Sequence, residues 1–273
     1  MIGPRVQIQT GSKSFKDAWR QTRLGDDRAR DVVRSGSHLQ GEPVPELSHI
    51  EPRSAALLLM DYQIDTLTRY LTAAQSADAI ACLPNLIASA REAGMMVIHV
   101  IVAFRPGYPE ISLRNPLFSA LKANEMGIAG TEGAAIHPAA AAREGEPIVV
   151  KHRISPFVGT DLETLLRARS IDTLVLAGVS TSGVVLSTVR HAGDLDYRLV
   201  VVRDCCADPD PEVHAMLLDI VIAKQAAVVT MAELAGALPG RSSWTRPIDE
   251  KRRHALCLCV TCSGDPLPRT LHR

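Results

Sequence analysis

Residues 172–204 read DTLVLAGVSTSGVVLSTVRHAGDLDYRLVVVRD. Two apolar runs, 172–178 and 198–204, are rich in Val and Leu and flank a segment with helix-like spacing. That succession predicts a parallel crossover, because two parallel strands need a connection long enough to return to the same edge of the sheet. The turn after the first run contains Gly178 and the small hydroxyl residues Ser180, Thr181 and Ser182. Such a turn, at a helix start, is a good seat for a reactive side chain. From Gly178 onward, however, the stretch has no cysteine, no histidine before His191 and no carboxylate before Asp194.

The same alternation extends in both directions. AALLLMD (55–61) is a continuous apolar run ending in an acid, as expected of a strand buried on both faces. From about Ala77 to Ala93, Ile80, Leu83, Ile87 and Ala90 recur at helical spacing, and Gly94 ends the pattern. MMVIHVIVAF (95–104), PIVVK (147–151) and AAVVT (226–230) add three more strands, with helical segments at 160–169 and 211–224. The expected fold is a doubly wound, Rossmann-like three-layer α/β domain. Its parallel sheet has about six strands with helices on both faces. The domain is expected over 51–238, between a flexible N-terminal arm (1–50) and a polar C-terminal tail (239–273), both dispensable for the fold. Residues 104–146, rich in Gly, Pro and Ala, read as a loop-rich lid over the sheet's edge.

Composition narrows the function little. Thirty basic residues balance thirty acidic ones, so no global field points to nucleic acid or an anionic membrane. No run has transmembrane length and the first residues lack a signal-peptide core, so a cytoplasmic protein is expected. Reduced thiols are expected at Cys82, Cys205, Cys206, Cys257, Cys259 and Cys262, which are unevenly placed for a disulfide framework. His254 with the last three cysteines is too compact for a common zinc-finger spacing. No glycine-rich phosphate loop opens any helix, so no nucleotide cofactor is expected.

In an open parallel sheet, ligands bind beyond the carboxyl ends of the strands. The polar residues expected there are Asp61, Arg105, Lys151, the Ser180–Ser182 turn, and Asp204 with Cys205 and Cys206 after the fifth strand. An acid and a lysine at two strand ends can form a catalytic pair or a plain structural salt bridge. His99, inside a strand, reads as a hydrogen-bonded core histidine.

At this point the residues resemble the isochorismatase-like cysteine hydrolases. ALLLMDYQ resembles that family's first strand, with its D-x-Q, and IVVKHRISPFVGTDLETLL its K and S-x-F-x-x-T-x-L segment. The 172–204 unit resembles its nucleophile segment, and the likeness spans about residues 54–235. The resemblance implies an Asp–Lys–Cys triad and carries the first two roles onto Asp61 and Lys151. It puts the nucleophile at position 184, where this chain has Val184. Gln63, Phe157, Ser180, Thr181, Ser182, Gly183 and Val184 fall where it implies substrate contacts, and Arg105 is expected as a substrate clamp. The metal-ligand histidines of the nicotinamidases have no counterpart near AFRPGYPE, so no metal is expected.

The expected function is therefore hydrolysis of a small metabolite without a thiol or cofactor. Asp61 would be general acid/base, Lys151 its partner on an adjacent strand, and amides around Ser182–Val184 an anion site. The competing expectation is a catalytically inactive relative that binds a small molecule or serves in assembly. Either would act as a homo-oligomer, a dimer or tetramer.

Overall fold

The computed structural model describes residues 47–239. Most of the proposed N-terminal arm, and the tail with His254, Cys257, Cys259 and Cys262, lie outside the described residues.

Six strands form one parallel sheet: β1 Ala55–Met60, β2 Met96–Val102, β3 Ile148–Lys151, β4 Thr173–Val179, β5 Arg198–Ala207 and β6 Ala227–Val229. Their order is β3-β2-β1-β4-β5-β6. Every residue of β1 and β4 is buried, which is why their sequences are unbroken apolar runs rather than alternating ones. On one face, Leu57, Leu59 and Val175 pack with Leu83, Leu86 and Ile87. On the other, Leu58, Leu176 and Val201 pack with Leu162, Leu166 and Val189. The chain winds outward from β1 through β2 to β3, then returns to lay β4 on the other side of β1. That reversal opens a crevice at the carboxyl ends of β1 and β4.

Three local expectations need correction. The helix expected over 77–93 is two helices, α1 Ala73–Ala81 and α2 Leu83–Glu92, meeting at Cys82. Thr72 and Gln75 form a capping box that starts α1 early, and Pro84, in the first turn of α2, has no amide to continue a single helix. Second, β5 runs on to Ala207, so Asp204, Cys205 and Cys206 lie within it rather than after it. A register shift between Leu176 and Gly178 lets pairing resume as Gly178 with Cys206 and Val179 with Ala207. Third, the 104–146 segment contains a helix, α3 Pro116–Ala123, and reaches the carboxyl ends of the strands rather than lying along an edge. Phe104, Tyr108 and Phe118 form its own small core, and bridges from Phe104 to Ile128 and from Gln63 to Ile136 tie it to the sheet.

In the middle of β2, His99 is buried, and its Nε2 lies 3.0 Å from Glu146 Oε2. Arg91 donates to both Glu146 oxygens, at 2.7 and 2.8 Å, and the Arg143 amide adds a 2.8 Å bond. Burial alone would raise the Glu146 pKa; these donors outweigh it and hold the carboxyl at about 2. Glu146→Gln should cost about 2 kcal/mol in urea unfolding at neutral pH. The native carboxylate binds fewer protons than the unfolded one between the ordinary 4.5 and about 2. Its contribution is therefore present above that window and lost as pH falls through it, and the substitution should flatten that part of the stability profile.

Candidate active site

Asp61 directly follows β1, and its backbone sits in the left-handed region at φ 59°. A non-glycine residue there is strained by about 1–2 kcal/mol, and its amide is anchored on the Val100 carbonyl at 2.9 Å. Lys151 ends β3. The two strands are not neighbours, since β2 lies between them, yet Lys151 Nζ reaches across to Asp61 Oδ2 at 2.9 Å. Lysine's four-carbon stem makes that span possible. Both side chains are nearly inaccessible, and Nζ also donates to the Arg153 carbonyl at 3.2 Å.

Asp61 Oδ1 is buried and, among the described residues, has no hydrogen-bond partner. Burial raises the Asp61 pKa, and the opposing pull of Lys151 does not cancel that rise. The proton-bearing form is thus more favoured than for an aspartate in water. Asp61 and Lys151 line a narrow cavity of about 90 Å³. The lid supplies apolar walls through Leu117, Phe118, Leu121 and Met126, while the β4 turn contributes Ser180, Gly183 and Val184. This arrangement can deliver or remove a proton at a small bound molecule.

A model of the isochorismatase domain matches residues 55–233. The chain belongs to the isochorismatase family. A maleamate amidohydrolase of Pseudomonas putida is 32% identical over 193 residues, covering 67% of this chain and 90% of that protein. A probable inactive nicotinamidase of Arabidopsis thaliana is 33% identical, covering 62% of this chain and 88% of that one. Among solved structures, an isochorismatase family protein from Desulfovibrio vulgaris superposes with a TM-score of 0.59 at 31% identity, covering 67% of this chain and 96% of that one.

This isochorismatase-family cavity gathers only part of the residue set expected from sequence. Asp61, Lys151, Gln63, Ser180, Gly183 and Val184 line it. The Gln63 amide is already occupied: Nε2 donates to the carbonyls of Val102 and Ala134 at 3.0 and 2.7 Å, and Oε1 accepts from the Val102 amide. Gln63 therefore braces β2 against the lid beneath the site. Arg105 is not on the cavity: its side chain is 73% exposed and pairs with Glu110 at 2.7 Å, because the chain turns outward after Phe104. Phe157 lies outside the cavity too, stacked on His191 at 5.0 Å.

The expected anion site is largely occupied by the protein itself. The Ser182 amide donates to Asp208 Oδ2 at 2.7 Å, and the Gly183 amide to Ser180 Oγ at 3.1 Å. Thr181 is fully buried on the far side of the turn, its Oγ1 2.8 Å from His214 Nδ1. Cys205 and Cys206 are buried in β5 and do not line the cavity. Burial is the main reason their thiols are pushed up, Cys206 to about 12 and Cys205 further. Repulsion from Asp204 is a smaller cause, and the Asp204 carboxylate accepts from the Met231 amide. Among the described residues, no group of three or more His, Cys, Asp or Glu side chains is placed to hold a metal ion. No helix there is long and apolar enough to cross a membrane.

Asp65, Tyr70 and the apolar lid residues also line the cavity, and sequence reading overlooked them. Asp65 follows Gln63 by two positions, so the D-x-Q match could have been extended to it.

Proposed function

We propose that the protein is a hydrolase of a small metabolite, acting through Asp61 as general acid/base with Lys151 as its electrostatic partner and with no cysteine nucleophile. The observation that carries this reading is Asp61 itself, a cavity-lining residue whose Oδ1 has no hydrogen-bond partner among the described residues while Oδ2 is fixed by Lys151. In this reading Val184 stands where the family's cysteine members have their thiol. A vinyl ether suits the arrangement. The Asp61 carboxyl protonates the alkene carbon, water adds to the resulting oxocarbenium ion, and the carboxylate takes the proton that water releases. The hemiketal then separates into a ketone and an alcohol. Direct attack of water on an amide, with the amine leaving as Asp61 protonates it, uses the same two groups. The likeness to a maleamate amidohydrolase keeps C–N bonds among the candidates.

A second reading, a binding protein without catalysis, is favoured by Val184 together with the likeness to a probable inactive nicotinamidase. Screening the purified protein against vinyl ethers, amides and ureides, with Asp61→Asn as control, separates the two. Turnover that disappears in the control supports the hydrolase; saturable binding with no turnover of any class supports the binder.

A further inference from the structure

Charge on the cavity wall is one-sided. Among the described residues, its charged side chains are Asp61, Asp65 and Lys151, and no arginine lines it. Lys151 is already held by Asp61 Oδ2 at 2.9 Å and the Arg153 carbonyl at 3.2 Å. A substrate carboxylate would have to displace one of these contacts to reach the cation. Asp65, by contrast, is loosely engaged. It begins the short helical turn Thr66–Tyr70, but its side chain makes no capping hydrogen bond to that turn. Its ion-pair partner is Arg69, at 3.9 Å, on a side chain that is itself 44% exposed. The carboxylate is only 20% exposed. Gly133 makes room for it: a Cβ there would lie 2.4 Å from the Asp65 carboxyl. An acid kept in a confined wall without serving the backbone is available to a ligand.

We propose that Asp65 is a specificity-determining residue, and that the cavity takes substrates whose end remote from the scissile bond is an amine or uncharged and rejects those ending in a carboxylate. The inference rests on the hydrolase reading for its reaction, but the charge selection is a property of binding and can be measured separately. Like charges brought together in a confined site oppose binding, while an ammonium opposite Asp65 is favoured.

The test uses three amides of matched length: 4-aminobutanamide, butanamide and succinamate. Their affinities for the wild type and Asp65→Asn are measured by calorimetry, and their initial hydrolysis rates are followed in parallel. The wild type should bind the ammonium-ended amide at least about tenfold more tightly than the carboxylate-ended one, a preference that shrinks in high salt. Asp65→Asn, which keeps the shape beside Gly133, should bring the two within about threefold, as expected when a single charge carries the discrimination. Gly133→Ala should also erode the preference by displacing the carboxylate. Equal or tighter wild-type binding of succinamate, an unchanged ratio in Asp65→Asn, or no binding of any of the three overturns the proposal. If the ratio holds but none of the three amides nor their vinyl-ether counterparts is hydrolysed, the charge selection stands and the hydrolase reading fails. Turnover with succinamate preferred has the opposite meaning.

Discussion

Asp61→Asn should lower turnover by about 10²- to 10⁴-fold, the usual range for removing a positioned general acid or base. Asparagine matches the shape of aspartate, and its carbonyl can still accept from Lys151 Nζ, so the cavity should persist. It cannot, however, donate and recover a proton at the position of Oδ1, the oxygen that has no partner among the described residues. The wild-type rate should also fall with rising pH. Burial lifts the Asp61 pKa above the ordinary 3.8, and the acid form is lost as pH passes through that raised value. Stability has the same sign. Between 3.8 and the raised value the native state binds more protons at Asp61 than the unfolded chain, so this residue's contribution declines as pH rises. Asp61→Asn should remove both dependences, which pH–rate and pH–melting profiles can check together.

Val184→Cys is the second large-effect change. Val184 is 2% exposed on the cavity wall, in the turn that follows β4. Cysteine is close to valine in size, so stability should change by less than about 1.5 kcal/mol. The new thiol would face the cavity that holds the Lys151 ammonium, which favours the thiolate. That differs from Cys205 and Cys206, whose burial pushes their thiols up. The thiolate could form a thioester with an amide substrate while Asp61 protonates the departing amine, a route closed to valine. Amide hydrolysis by the variant should exceed the wild type by at least about tenfold, or 1.4 kcal/mol of barrier, and iodoacetamide should abolish the gain. A variant that is alkylated at this position but gains no amidase activity would show that the turn does not present a nucleophile to substrate.

Sequence reading recovers the sheet well because burial on both faces writes itself directly into runs such as AALLLM and LVVV. It anticipates the contact between Asp61 and Lys151 because strand ends are where an apolar run stops. What it misses depends on contacts between distant segments. The continuation of β5 through Cys205 and Cys206 follows from pairing with β4, which no local pattern announces. Arg105 follows a strand in sequence, but the loop after Phe104 carries it to Glu110 at the surface. Thr181 and Gly183 are two residues apart, yet one faces His214 and the other the cavity, a division set by the wide helical turn they share. Asp65 becomes a wall residue only because the Gly133 carbonyl receives its amide and Gly133 has no side chain to exclude its carboxylate.

The claim that Asp61 performs the chemistry without a thiol is tested most directly by turnover before and after exhaustive alkylation, with intact mass recorded on the same sample. The substrate is whichever vinyl ether, amide or ureide the wild type hydrolyses. The account predicts an unchanged rate with iodoacetamide adducts confined to thiols away from the cavity. Loss of the rate with an adduct at Cys205 or Cys206 would contradict it and assign the nucleophile to β5.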